Sequence, residues 1–185
     1  MNKFIKAERR HMPKKIQNVR ARLLEEARRQ IEECGYKETT VRSVAGALSL
    51  GLGTLYNYFE SKDMLVASFM LEDWFEVLEK MKHRLDSDVT PGEKLRFIYE
   101  GLCEFYLDHK KIFDDPGAKR TFSHTMSERH PMLLAQISDM VRPLLKDSAV
   151  ENKDILADFI SESILTWSGS GTDYSRLEPI FNRLI

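Results

Sequence analysis

Only two cysteines occur in the 185 residues, Cys34 and Cys103, far apart and in no Cys-x-x-Cys pair. A disulfide framework is thereby excluded, and the usage fits a reduced, cytoplasmic protein, with Cys103 read as a buried thiol. No apolar run approaches the roughly 20 residues of a membrane-spanning helix. The opening stretch, Met1 to Lys15, is charged and lacks the apolar centre of a secretory signal. No glycine-rich nucleotide loop follows a strand, and the histidines show no HExxH or similar metal spacing; His124 and His130, with Glu128, read as a helix end. No segment alternates apolar and polar residues as a half-buried strand does. The expectation is therefore a chain that is not an enzyme, needs no cofactor or metal and makes no membrane contact.

A hydrophobic fraction of 42% is enough for a real core. The net charge of -1 hides a separation of signs: through Lys62 there are 13 basic and 7 acidic residues, whereas from Asp63 onward there are 15 and 22. A basic end on an acidic remainder points to an end that meets a polyanion. Six of those cations, Lys3, Lys6, Arg9, Arg10, Lys14 and Lys15, fall in residues 1–15, a basic arm of the kind that can lie along a minor groove.

Helical punctuation runs through the rest. Val19, Leu23, Leu24, Ala27 and Ile31 recur at spacings of one, three and four and predict a helix over 17–34, stopped by Gly35. Thr40 is an N-cap for a short helix over 41–48, "SLG" makes a turn, and a second short helix covers about 52–59. Ser61 caps a long helix that follows. Thr90 with Glu93 forms a capping box with Pro91 at the first helical position, predicting a helix to about Asp108. Asp115 caps the next, which "ERHP" is expected to divide from a helix over 132–146, with Pro143 kinking or ending it. Two last helices are predicted, 154–167 and a second one capped by Thr172 and running to about Leu184. The class is all-α.

Residues 17–59, taken together, describe a helix packed across two short helices joined by a tight turn. That is a helix-turn-helix, whose second helix enters a DNA major groove. Val44, Ala45, Leu48, Leu50 and Leu55 supply its small core. Gly51 and Gly53 permit close backbone approach to a phosphate at the helix start.

The stretch "GYKETTVRSVAGALSLGLGTLYNYFESKDML" resembles the DNA-binding domain of the tetracycline-repressor (TetR) family of bacterial regulators. The resemblance covers about residues 23–65 and rests on Gly35-Tyr36, Thr39-Thr40, Val44-Ala45, Gly53-Thr54-Leu55-Tyr56, Tyr58-Phe59 and Ser61-Lys62. It implies a three-helix DNA-binding domain over 16–62 and a larger helical ligand-binding and dimerisation domain over 63–185. It further implies double-stranded operator DNA as partner, a small-molecule inducer and a homodimer. Carried onto this sequence, it gives Thr40, Tyr56, Tyr58 and Lys62 to phosphates, Gly53 to close approach, Thr54 and Asn57 to base edges, and Phe59 to the core. Asn reads adenine bidentately and Thr bonds bases or touches a thymine methyl, so the chemistry agrees. Two departures stand out: Ser49 where the family commonly has glycine, and Gly51-Leu52 where it often has Ser-Lys. Leu52 deletes a DNA-facing cation and could touch a thymine methyl instead. The alternative reading is a ligand- or protein-binding relative that has lost DNA affinity.

Beyond Asp63 the sequence carries no motif. Phe105, Tyr106, His109, Phe113, Phe122, Met126 and Met140, with His124 among them, lie on helices that surround the ligand site in this family and are the candidate pocket residues. The family's dimers form through the last two helices. Their candidates here are 154–167 and 172–185, with Ile155, Phe159, Trp167 and Ile180 among the apolar positions.

Overall fold

The computed structural model describes residues 18–185, and for residues 122–129 the backbone only. The basic arm at 1–15, and the side chains of Phe122, His124 and Met126, expected from sequence to take part in binding, lie outside the described residues. The described chain is helical throughout, with no strand among those residues.

α1 spans Val19–Cys34 and buries Leu23, Leu24, Ala27 and Ile31 along one stripe. Gly35 ends it at φ 86°, a backbone region costly for any residue with a Cβ. α2, Val41–Ala47, starts from Thr40, whose hydroxyl accepts from the Ser43 amide while Ser43 returns the bond to the Thr40 amide. The turn that follows places Ser49 at φ 54°. α3, Leu52–Tyr56, buries Leu55 beside Val44, Ala45 and Phe59. α4, Lys62–Leu85, begins at Ser61, whose side chain accepts from the Met64 amide.

α4 is long enough to serve two cores. Its first half gives Leu65, Val66 and Phe69 to the core of α1–α3. Its second half gives Trp74, Val77, Leu78 and Met81 to a second core. There they meet Leu95, Ile98 and Leu102 of α5 (Pro91–Asp108), which is opened by the expected Thr90–Glu93 box. The short α6, Lys110–Phe113, and the start of α7, Pro116–Val141, return to the first core: Ile112 and Ala118 are buried in it. α8, Lys153–Gly169, packs Ile160 and Ile164 between α5 and α7, and α9, Glu178–Phe181, closes the bundle with Phe181.

Two boundary expectations are corrected. "ERHP" does not divide a helix: α7 runs through Pro131 to Val141. Pro131 lacks the amide that would reach back one turn. The residues after it, Ile137, Met140 and Val141, are held in the second core, and packing outweighs the lost bond. Pro143 does end α7, in a 3-10 turn over Arg142–Leu145. The final long helix is absent. Asp173, not Thr172, caps a single 3-10 turn, and Pro179 opens the four-residue α9, which folds onto the core.

Candidate DNA-reading face and ligand cavity

The α2–turn–α3 unit presents a polar, open face. Tyr56 and Tyr58 are each 47% exposed, and Asn57 and Gly53 are also open to solvent. Neither tyrosine hydroxyl has a protein partner among the described residues. Thr54 and Leu52 are half-buried. Thr40 is exposed, but its hydroxyl is committed to the capping box, so it meets a phosphate only alongside the amides at the start of α2. Nothing lies within 4 Å of a Cβ built on Gly53, so the protein leaves the space beside it open.

Lys62 is less free than the other candidates. Its ammonium donates to the carbonyls of Tyr36 at 2.5 Å and Thr39 at 2.9 Å, and sits 3.7 Å from the Tyr36 ring centroid. Burial lowers its pKa, against the raising influence of Asp63, Asp115 and Glu38. An ammonium has three protons, and two are used here. Lys62 therefore ties the α1–α2 turn to the start of α4 and retains one donor.

The cations of the unit are largely committed as well. Arg20 pairs with Glu72, Arg28 with Asp73, and Arg29 with Glu26 and Glu33. Arg22 and Arg42 are exposed and enter no ion pair among the described residues. Sequence reading passed over both. They stand next to the cap and the first helix, and their freedom is visible only once the pairs of their neighbours are known.

A cavity of about 620 Å³ opens between α4, α5, α7 and α8. Phe105, Tyr106 and Phe113 line it, as expected from sequence, and so do Trp74, Leu102, Leu133 and Leu165, which were not singled out. Its rim carries His130, 2.9 Å from Glu162. The volume and the apolar, aromatic lining suit a small-molecule site. Two pocket candidates lie outside this cavity. Met140 belongs to the second core, packed below α8. His109 lies behind the cavity wall, 4% exposed, with Nδ1 2.9 Å from the Phe105 carbonyl and Nε2 2.9 Å from Asp73. Periodicity finds that a residue faces inward; it does not tell which of two adjoining interiors receives it.

Among the described residues no cluster of His, Cys, Asp or Glu could hold a metal ion, and no helix is long and apolar enough to cross a membrane. Cys103 is half-buried beside the Ser168 carbonyl, and burial pushes its thiol up, away from a reactive thiolate.

A three-helix unit whose third helix carries an open face with Tyr56 and, just past its end, Tyr58, mounted on a helical bundle with an aromatic cavity, fits a helix-turn-helix transcriptional regulator. Residues 23–69 match the family described as bacterial regulatory proteins, tetR family. The chain is 26% identical over 141 residues to the HTH-type transcriptional regulator YhgD of Bacillus subtilis, covering 71% of this chain and 72% of that protein. It is 25% identical over 174 residues to an HTH-type transcriptional repressor of Mycobacterium tuberculosis, covering 88% and 89%. Its fold is similar to that of a TetR/AcrR-family regulator from Thermobifida fusca, with a TM-score of 0.58 at 15% identity over 84% of this chain and 86% of that one. The fatty acid degradation regulator FadR from Bacillus halodurans gives 0.57 at 18% identity, over 90% and 93%. Residues 23–69 form a DNA-binding domain of the tetR family, and the chain is a DNA-binding transcriptional regulator.

Proposed function

We propose that the protein is a repressor that leaves its operator when a small, largely apolar molecule enters the cavity between α4, α5, α7 and α8. The observation that carries this reading is the aromatic-walled space of about 620 Å³ next to α4, the helix shared by both cores. A ligand that binds better to the conformation with low DNA affinity lowers operator affinity by its differential affinity for the two states. Thr54 and Asn57, with Leu52 toward a thymine methyl, read bases. Tyr56, Tyr58 and Lys62 hold phosphates, with Thr40 and Gly53 at the helix starts where amides meet them. Arg22 and Arg42, exposed and outside any ion pair among the described residues, supply further positive charge beside this face.

The active species is a homodimer, because one such unit reads few bases and two half-sites about 34 Å apart need two recognition helices. α8 offers the face for it: Ile155 and Phe159, one turn apart, are 65% and 59% exposed, and Trp167 continues the stripe. α9 is too short to form the second long helix of a four-helix interface, so α8 is its main element.

The test is fluorescence anisotropy of DNA from upstream of the gene, titrated with protein at several salt concentrations. Tight, salt-dependent binding, weakened by Tyr56→Phe at every sequence and loosened by an apolar ligand, is expected. Binding that ignores salt and tolerates Tyr56→Phe would overturn the assignment of the reading face.

A further inference from the structure

Behind the cavity, three helices meet at a chain of charged side chains. Arg28 of α1 holds Asp73 of α4 through two bonds, 2.6 Å and 3.3 Å long. Asp73 holds His109, at the junction of α5 and α6, at 2.9 Å. The other ring nitrogen of His109 faces the Phe105 carbonyl, also at 2.9 Å. A carbonyl oxygen only accepts, and so does an ionised carboxylate. Both ring nitrogens are engaged, and the ring bridges the helices. Burial raises the Asp73 carboxyl, but the hydrogen bonds from His109 and Arg28 and their charges outweigh it, and the net shift is downward. Glu76, Lys80 and Lys111 line the same cleft from α4 and α6, and Glu32 does so from α1.

The imidazole is also gripped by rings. Its centroid lies 4.5 Å from that of Phe105, 6.3 Å from Phe113 and 6.1 Å from Phe69. Phe105 and Phe113 are walls of the cavity, and Phe69 belongs to the core of the DNA-reading unit. Phe105 packs edge-on against Trp74, another wall. Phe105 and Phe113 thus face the cavity on one side and rest on the imidazole on the other. The imidazole cannot shift without giving up one of its two bonds, and Asp73 then holds Arg28 differently.

We propose that His109 is the positioning residue through which the state of the cavity wall reaches α1, by way of Asp73 and Arg28. This inference rests on the reading of the cavity as the ligand site and names the contact that makes that site regulatory. α1 packs against α2, which carries α3, so its tilt sets where the reading face points.

The experiment is a cycle in operator affinity that needs no ligand. A duplex selected from random DNA is titrated by anisotropy against wild type, Phe113→Ala, His109→Gln and the double variant, each first shown to unfold cooperatively. Phe113→Ala removes a ring that holds the imidazole from the cavity side. It should change the operator Kd at least about fivefold, within the usual span of coupling between sites. The same substitution in the His109→Gln background should change Kd less than about twofold. Leu165→Ala, on a wall that does not touch His109, should act equally in both backgrounds. A network that is only structural alters unfolding without this selective loss of coupling. Phe113→Leu replaces the alanine variant should that one not fold. Equal fold-changes for Phe113→Ala in the two backgrounds, or none in the wild type, would overturn the proposal. Nile red, a neutral apolar fluorophore titrated separately, tests the cavity reading itself, so the two failures are distinguishable.

Discussion

Gly101 of α5 and Met81 of α4 cross so closely that a Cβ built on Gly101 would stand 2.6 Å from Cγ and 2.7 Å from Sδ of Met81. α4 and α5 pack closely along their length, and the missing side chain lets their axes approach. A helix-interior glycine usually costs about 1 kcal/mol relative to alanine. Here the substitution should reverse that sign. Gly101→Ala should lower unfolding free energy by about 1–3 kcal/mol through overpacking, measured by urea unfolding.

Ser49 presents the opposite case. Its φ of 54° puts a Cβ in a region that favours glycine, in a turn closed by the Ser49 amide on the Gly46 carbonyl and the Leu50 amide on the Ala45 carbonyl. Left-handed backbone costs a residue with a Cβ about 1–2 kcal/mol. Part of that is offset by the extra chain entropy glycine carries when unfolded. Ser49→Gly should therefore stabilise by about 0.5–1 kcal/mol, and Ser49→Val should destabilise. Thermal unfolding of the three proteins checks the order.

Asp73 should shape the acid limb of stability. Its folded pKa lies below the unfolded value of about 3.9. Its contribution is therefore present in full above that value and lost as pH falls through the folded one. Asp73→Asn should be less stable than wild type at pH 7, with a shallower decline below about pH 4. Urea midpoints from pH 7 down to pH 3 measure both.

Lys62 carries two roles that separate in different assays. Lys62→Met removes donors to two carbonyls and a cation over the Tyr36 ring. It should cost about 1–2 kcal/mol of stability, as charged hydrogen bonds do. If the third proton meets a phosphate, the slope of log Kd against log salt falls by about 0.9 as well. Urea unfolding and salt-dependent anisotropy read the two effects independently.

The exposed stripe on α8 should govern assembly. Phe159→Glu places a charge where two copies would meet, and should convert the dimer to monomer in sedimentation equilibrium with the helical spectrum unchanged. A dimer that persists would place the interface elsewhere.

Caps were legible in the sequence because they are local chemistry: Thr40, Ser61, Thr90 with Glu93, and Asp115 each bond an amide two or three residues away. The reading helix was legible because its pattern of Gly53, Tyr56 and Tyr58 is short-range. Pro131 was misread because the forces that carry α7 through it come from α8 and the second core, far away in sequence. Thr172 was misread because Asp173, one residue on, makes the competing cap. The cavity was half legible: Phe105, Tyr106 and Phe113 share a short stretch, whereas Leu133 and Leu165 reach it from helices whose placement depends on the whole bundle. His109 illustrates the limit most clearly, since its partner Asp73 lies 36 residues away, and Arg28, which Asp73 holds in turn, lies a further 45 residues from Asp73.

The burial of Ile112 and Ala118 among the side chains of α1–α3 also bears on how this regulator could be rebuilt. A chimera cut at Lys62, joining this reader to another sensor, would discard Leu65, Val66, Phe69, Ile112 and Ala118 and leave a hole in the reader's interior. A working graft has to carry the first half of α4 and supply an equivalent of the α6–α7 plug. The reader is a module in its sequence motif, not in its interior.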